Sequence, residues 1–160
     1  MKIRQAKMAD LDEITEVESI CFPPLEAAPG KSFEKRLETF ISSFLIAEEN
    51  GKIIGFINGC VTNDTEIHDE MFADTSWHNP DGDYQSIFGL VVIPEYRGKG
   101  VARKLMDALI ERTRSRGKKG LILTCKEPLI NFYSAFGYEN RGMSGSNHGD
   151  AVWYDMTLKF

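Results

Sequence analysis

The chain has 160 residues, is 42% hydrophobic and 27% charged, and carries a net charge of −5. That length suits one domain over residues 1–160, and the composition excludes collagen-like, low-complexity and disordered classes. No apolar run approaches the roughly 18 residues of a bilayer span, Met1-Lys2-Ile3-Arg4-Gln5 holds no apolar signal core, and a mildly acidic chain is a poor non-specific ligand for nucleic acid.

In chain order, Met1 to Gln5 reads as a short strand. Asp10 is placed to cap a helix, with Glu13 three residues on as its capping-box partner. Leu11, Ile14, Val17 and Cys21 follow at helical spacing. Phe22-Pro23-Pro24 ends that helix, and a loop containing Pro29-Gly30 runs to Lys31. A second helix begins near Ser32 and carries Phe33, Leu37, Phe40 and Ile41. Phe44 to Glu48 and Lys52 to Val61 form a hairpin, in which Asn50-Gly51 suits a type I′ turn because both positions tolerate positive φ. A long polar stretch, Thr62 to Tyr84, precedes Gln85 to Ile93, a dense β-branched and apolar strand. Pro94 to Gly117 reads as a turn and a helix, with an apolar stripe of Val101, Leu105, Ala108 and Leu109. Its basic end, with Arg112, Arg114, Arg116, Lys118 and Lys119, complements the helix dipole. Gly120 to Cys125 is an apolar strand, Pro128 to Phe136 a short helix closed by Gly137, and Ala151 to Leu158 a last strand. This order, β-α-α-β-β-β-α-β-α-β, calls for an α/β (α+β) fold with a central mixed sheet and helices on both faces.

Cys21, Cys60 and Cys125 are an odd, widely spaced set with no CxxC, which suits neither a disulfide framework nor a zinc site. They read as three reduced, mostly buried thiols of a cytoplasmic protein. A nucleophilic Cys125, late on its strand, is the sharper alternative. No cluster of metal ligands is visible.

The most informative segment runs from Ile87 to Leu105. A buried strand enters Pro94, then a turn with Gly98 and Gly100, then a helix. The two glycines let backbone N–H groups approach a ligand closely. Those groups lie at a helix N-terminus, where an anion is favoured. Arg97, Lys99, Arg103 and Lys104 add four positive charges. Together they describe a pyrophosphate cradle. Neither GxxxxGK[ST] nor GxGxxG is present, so it is neither a P-loop nor a dinucleotide fingerprint.

Arg97-x-x-Gly100-x-Ala102 resembles the acetyl-CoA signature [Gln/Arg]-x-x-Gly-x-[Gly/Ala] of the GNAT superfamily of N-acetyltransferases. Leu90-Val91-Val92-Ile93-Pro94 is similar to the superfamily's Leu-x-Val-x-Pro. Asn131-Phe132-Tyr133-Ser134-Ala135-Phe136-Gly137-Tyr138 is similar to its Asn-x-Tyr-x-x-x-Gly-[Phe/Tyr]. The resemblance implies a mostly antiparallel mixed sheet splayed at an acetyl-CoA cleft, with acetyl-CoA as co-substrate. Backbone groups of Leu90 and Val92 would bond the pantetheine arm. The N–H groups from Arg97 through Gly98, Lys99, Gly100 and Val101 to Ala102 would bind the pyrophosphate. Asn131 would contact the pantetheine or the cofactor's far end, and Tyr133 would sit near the acetyl sulfur. Within the superfamily the pattern is most similar to serotonin (arylalkylamine) N-acetyltransferase. Cys21 to Ala28 stands where that group has a proline-containing substrate loop, which makes Pro24 and Glu26 substrate-side candidates. Leu123 to Tyr133 resembles its strand-to-helix stretch.

Acetyl transfer needs a deprotonated amine, a polarised carbonyl and a stabilised thiolate. Tyr133 fits as general acid to the thiolate, and the backbone N–H of Val91 or Val92 fits the carbonyl. The His-x-His pair of the serotonin group falls on Ser86 and Phe88 here. Phe88 takes no proton and is left as a substrate contact; Ser86 is at most a water relay. Substitute bases are Glu26, His68, His78 and Asp83. His148 and Asp150, in the Gly142 to Gly149 loop, stand over the pocket or form a solvent-exposed turn.

Thr62 to Tyr84 holds Asp64, Glu66, Asp69, Glu70, Asp74, Asp81 and Asp83 and no Lys or Arg. With Met71, Phe72, Trp77 and Tyr84 interleaved, it reads either as a solvated face or as an acidic flap that draws in a cationic amine. The expectation is an amine N-acetyltransferase with a small aryl- or alkylamine acceptor, monomeric or homodimeric, with no nucleic-acid or membrane partner and no metal. A protein N-terminal or lysine acetyltransferase and a non-catalytic acyl-CoA sensor are the alternatives.

Overall fold

The computed structural model describes residues 1–146 and 151–160. Among them run β1 (Lys2–Gln5), β2 (Phe44–Glu49), β3 (Lys52–Asn58), β4 (Val61–Thr62), β5 (Tyr84–Ile87), β6 (Gly89–Val92), β7 (Gly120–Cys125), β8 (Glu139–Met143) and β9 (Tyr154–Lys159). The α-helices are α1 (Leu11–Cys21), α2 (Gly30–Phe40), α3 (Val101–Ser115) and α4 (Ile130–Ser134). One sheet has the order β1-β2-β3-β6 and is antiparallel throughout; the other has the order β4-β5-β7-β9-β8, with β5 and β7 parallel. The fold is the mixed α/β one expected.

Helices cover both faces. Phe56 of β3 meets Phe33 of α2, their ring centroids 5.6 Å apart. A Cβ on its neighbour Gly55 would lie 3.4 Å from Leu105 of α3. Successive strand residues point to opposite faces, so α2 and α3 lie on opposite sides of β3. The basic end of α3 is spent on a short turn: Arg112 and Arg116 both donate to the Ser42 carbonyl, at 2.7 and 2.9 Å.

The hairpin turn is as read, with Asn50 at φ +51° and Gly51 at +76°. Three elements differ. Gln85 to Ile93 is not one strand but two, β5 and β6, each in a different sheet. Opposite it, Lys52 to Val61 also breaks, at Gly59-Cys60, into β3 and β4. β8 escaped the sequence reading because its residues are mostly exposed and carry no apolar alternation. The capping box also moves. Asp10 accepts the Lys7 N–H at 2.8 Å and pairs with Arg4, while Glu13 accepts the Ile53 N–H at 2.8 Å, forty residues away.

The paired breaks are braced by buried polar groups. The Gln85 side-chain amide donates to the carbonyls of Gly59, Cys60 and Ser86 at 2.8–3.2 Å, and its oxygen accepts the Ser43 hydroxyl at 2.7 Å. The Ser86 hydroxyl donates to the Cys60 carbonyl at 2.8 Å. Gly59 lies so close to β5 that a Cβ would sit 1.9 Å from the Ser86 carbonyl. Beyond the break, Ile67 and Met71 are buried with Phe40, Cys60, Tyr84 and Ile122. The acidic stretch is therefore anchored by its own apolar residues and is not a loose flap.

Gly59→Ala forces that contact and is expected to lower stability by about 3 kcal/mol. Gly30→Ala, whose Cβ meets Thr15 at an ordinary 3.5 Å, should change it by no more than about 0.5 kcal/mol. Urea unfolding midpoints of the two variants check this.

Candidate functional site: two cavities at the sheet break

Where β6 leaves β5, one of its edges is left without a strand. The Ile93 N–H bonds back to Ile54 at 2.9 Å, while the Val92 carbonyl faces the other way and accepts the Arg97 Nε–H at 2.9 Å. Backbone groups alternate along an antiparallel strand, so Leu90 and Val92 turn toward the open edge. Val91 turns toward Phe56, its register partner in β3. Of the two amides considered for the carbonyl, Val92 is thus the one facing the cleft.

The turn after β6 carries Gly98 at φ +76° and Gly100 at +82°, both left-handed, which is why glycine stands there. A Cβ at either would meet nothing within 4 Å, so the constraint is on φ and not on space. The first α3 bond runs from the Lys104 N–H to the Gly100 carbonyl at 3.1 Å. The N–H groups of Val101, Ala102 and Arg103 come before it and point off the helix end, where the dipole favours an anion. The Arg97 N–H, expected in the cradle, is instead bonded to the Pro94 carbonyl at 3.2 Å, because Pro94–Tyr96 forms a 3-10 turn. Lys99 also stands off the cavity, its ammonium 5.3 Å from the centre of the Tyr96 ring.

This edge and turn line a cavity of about 670 Å³ that also takes in Phe22, Phe132 and Tyr133. Tyr133 is 8% exposed, and burial pushes its phenol well above the ordinary value, which keeps the proton on it at neutral pH. Asn131 is exposed and lies outside this lining. Cys125 is buried, and burial pushes its thiol up to about 11, so it is no nucleophile at neutral pH.

A second cavity, of about 240 Å³, lies on the other side of Phe22, which lines both. Phe88, Glu26 and Asp69 line it, as do Glu18 and Arg36, two residues absent from the sequence reading. Pro24 is exposed and outside it; Pro29 takes that place. Lys126, after β7, pairs with Glu26 at 2.6 Å and ties the loop before α2 to the end of β7. The sequence did carry a signal for the missed pair: Arg36 falls three residues after Phe33, and Glu18 four after Ile14, on otherwise apolar helical stripes.

The other candidates are elsewhere. Ser86 is fully buried, with its proton committed to Cys60. Its hydroxyl lines neither cavity, so it is not placed to relay a water. His78 accepts the Val61 N–H through Nδ1 at 3.0 Å, His68 stacks on Trp77, and Asp83 pairs with Lys119 at 3.3 Å. Of the base candidates only Glu26 reaches the cavity. His148 and Asp150 lie outside the described residues. Among those described, no group of three or more side chains is gathered to hold a metal, and no helix is long and apolar enough to cross a membrane.

Comparisons with known proteins agree with this architecture. A curated relative, the probable hydrolase YhcX of Bacillus subtilis (strain 168), is 28% identical over 143 residues, which are 84% of this chain. The match covers 28% of that protein, so the chain spans little more than a quarter of its length. The loading GNATL domain of CurA from Lyngbya majuscula superposes with a TM-score of 0.89 at 13% identity, over 99% of this chain and 96% of that one. The GphF GNAT-like decarboxylase, solved in complex with isobutyryl-CoA, gives 0.88 at 18% identity, over 99% of both chains. At such identities the likeness is one of fold. Residues 11–138, which hold both broken strands, the glycine turn and α4, match the acetyltransferase (GNAT) family model, and the chain belongs to that family.

Proposed function

We propose that the chain moves the acetyl group of acetyl-CoA directly to a primary amine, with a small aryl- or alkylamine as acceptor, in the manner of the arylalkylamine N-acetyltransferases. The observation that carries this reading is the meeting of the two cavities at Phe22, beside the open edge of β6.

The larger cavity suits coenzyme A. The N–H groups of Gly98, Gly100, Val101 and Ala102 receive the pyrophosphate. Leu90 bonds the pantetheine arm as if it were an added strand, and the N–H of Val92, whose carbonyl is already taken by Arg97, is left for the thioester. Acetyl-CoA supplies an activated thioester. The Val92 N–H stabilises negative charge developing on its carbonyl oxygen. Glu26 takes the proton of the attacking amine through water, and the Tyr133 phenol gives its proton to the departing thiolate. The products are an N-acetylated amine and coenzyme A with a free thiol.

A protein acceptor is the second reading. The small cavity volume favours a small molecule. A non-catalytic acyl-CoA sensor would have no use for a buried phenol at the cavity wall.

Release of coenzyme A thiol should rise above background with phenethylamine, tryptamine or polyamines and stay near background with peptides; the reverse order would transfer the assignment to a protein acceptor. Tyr133→Phe should lower kcat by about 100-fold and leave the KM for acetyl-CoA within about twofold. The acid role needs the protonated phenol, and its proton is lost only above the ordinary value of 10.0. The kcat of the wild type should therefore show no alkaline fall from this group up to about pH 10.

A further inference from the structure

Arg36, on α2, is 3% exposed at the wall of the smaller cavity. Its Nη1 donates to Asn58 Oδ1 at 3.1 Å and its Nη2 to the Phe72 carbonyl at 2.8 Å. The guanidinium also lies 5.2 Å and 4.9 Å from the ring centres of Phe33 and Phe88. All these hydrogen-bond partners are neutral; Glu18 acts on the guanidinium through its charge, but among the described residues no carboxylate is in direct ion-pair contact with it. Arg36 Nε and Asn58 Nδ2 are buried donors with no acceptor. Both residues line the cavity, and a Cβ on Gly89, at the strand break, would lie 3.6 Å from Asn58 Nδ2.

The Glu18 charge favours the buried cation without bonding to it, so the hydrogen bonds of Arg36 go only to neutral groups, and one donor is left over on Arg36 and one on Asn58. Buried donors in that position are costly unless an acceptor, best an anionic one, completes them. Burial lowers Arg36 only to about 10, so the charge is present at neutral pH. The opposite character lines the same cavity: Glu18, 6% exposed, with Glu26 and Asp69. Phe22, Phe72, Phe88 and Trp153 supply apolar wall.

We infer that the acceptor of this cavity is an aminocarboxylate with an apolar side chain, its carboxylate held at Arg36 and Asn58 and its amine on the carboxylate-lined side. This deepens the acetyl-transfer proposal and rests on it. The reaction is unchanged in balance: the amine nitrogen gains the acetyl group and loses a proton, and coenzyme A leaves as the thiol. The carboxylate is a handle and does not react. A neutral pocket would prefer the bare arylalkylamine, because placing a carboxylate in it costs desolvation. The cavity around Arg36 reverses that preference, and specificity built on a buried polar partner is steep.

The test compares matched pairs that differ only by the carboxylate: phenethylamine with L-phenylalanine, and tryptamine with L-tryptophan, at equal concentrations of the uncharged amine. Coenzyme A thiol release should give the amino acid a kcat/KM at least about tenfold higher, and Arg36→Lys should erase most of that advantage. A bare amine used as well or better overturns the inference and leaves acetyl transfer standing. Independently of turnover, calorimetry on the coenzyme A-loaded wild type should show binding of 3-phenylpropionate, which has the carboxylate and no amine. No binding overturns the carboxylate site even if every acceptor fails. Binding with no thiol release from any acceptor keeps the site and sinks the acetyl-transfer reading instead. Urea midpoints for Arg36→Lys separate lost recognition from lost folding.

Discussion

Everything at the site follows from a chain break that the backbone has to tolerate: β5 pairs with β7 and β6 pairs with β3, with only Phe88 between them. A single strand pairing along its whole length would zip the two sheets together and leave no edge. The break exposes carbonyls and amides that need partners away from water. The Gln85 amide supplies them, and the Gly59 backbone can lie against Ser86 only because it has no side chain. The position that resemblance marked for proton relay, Ser86, is one of these braces. Its job is to hold the break open, which places the open edge of β6 next to both cavities.

Charge is then divided across that edge. On one side, the N–H groups that start α3 meet the larger cavity, where a polyanion is welcome. On the other, Arg36 and three carboxylates share a much smaller and more enclosed space. Interactions there are stronger than at the surface because less water screens them. This is a sharper division than the acidic composition suggested. Most of the acidic side chains between Thr62 and Tyr84 stand outside the cavity, and of them Asp69 alone lines it.

What could be read from the sequence depended on whether the local chain alone determined it. Gly98, Gly100 and the Asn50-Gly51 turn were legible because positive φ restricts residue choice at the position itself. The strand break was not, because apolar residues continue through Ile87-Phe88-Gly89-Leu90 and only long-range pairing divides them. β8 was hidden by exposure. The start of α1 at Leu11 was legible, but its capping bonds were not, because the Asp10 and Glu13 side chains are claimed by Arg4 and Ile53, which are tertiary partners. Glu18 and Arg36 were missed because a helical pattern counts each as one polar position, although both interrupt apolar stripes.

The proposed reaction depends on coenzyme A docking along the open edge of β6. Amide hydrogen exchange resolved by residue, with and without coenzyme A, tests it directly. Exchange should slow at Leu90 or Val92 and across Gly98 to Ala102, and stay unchanged at Val91, whose amide is already turned to β3. Unaltered exchange at Leu90, Val92 and the glycine turn with saturating coenzyme A would contradict the account.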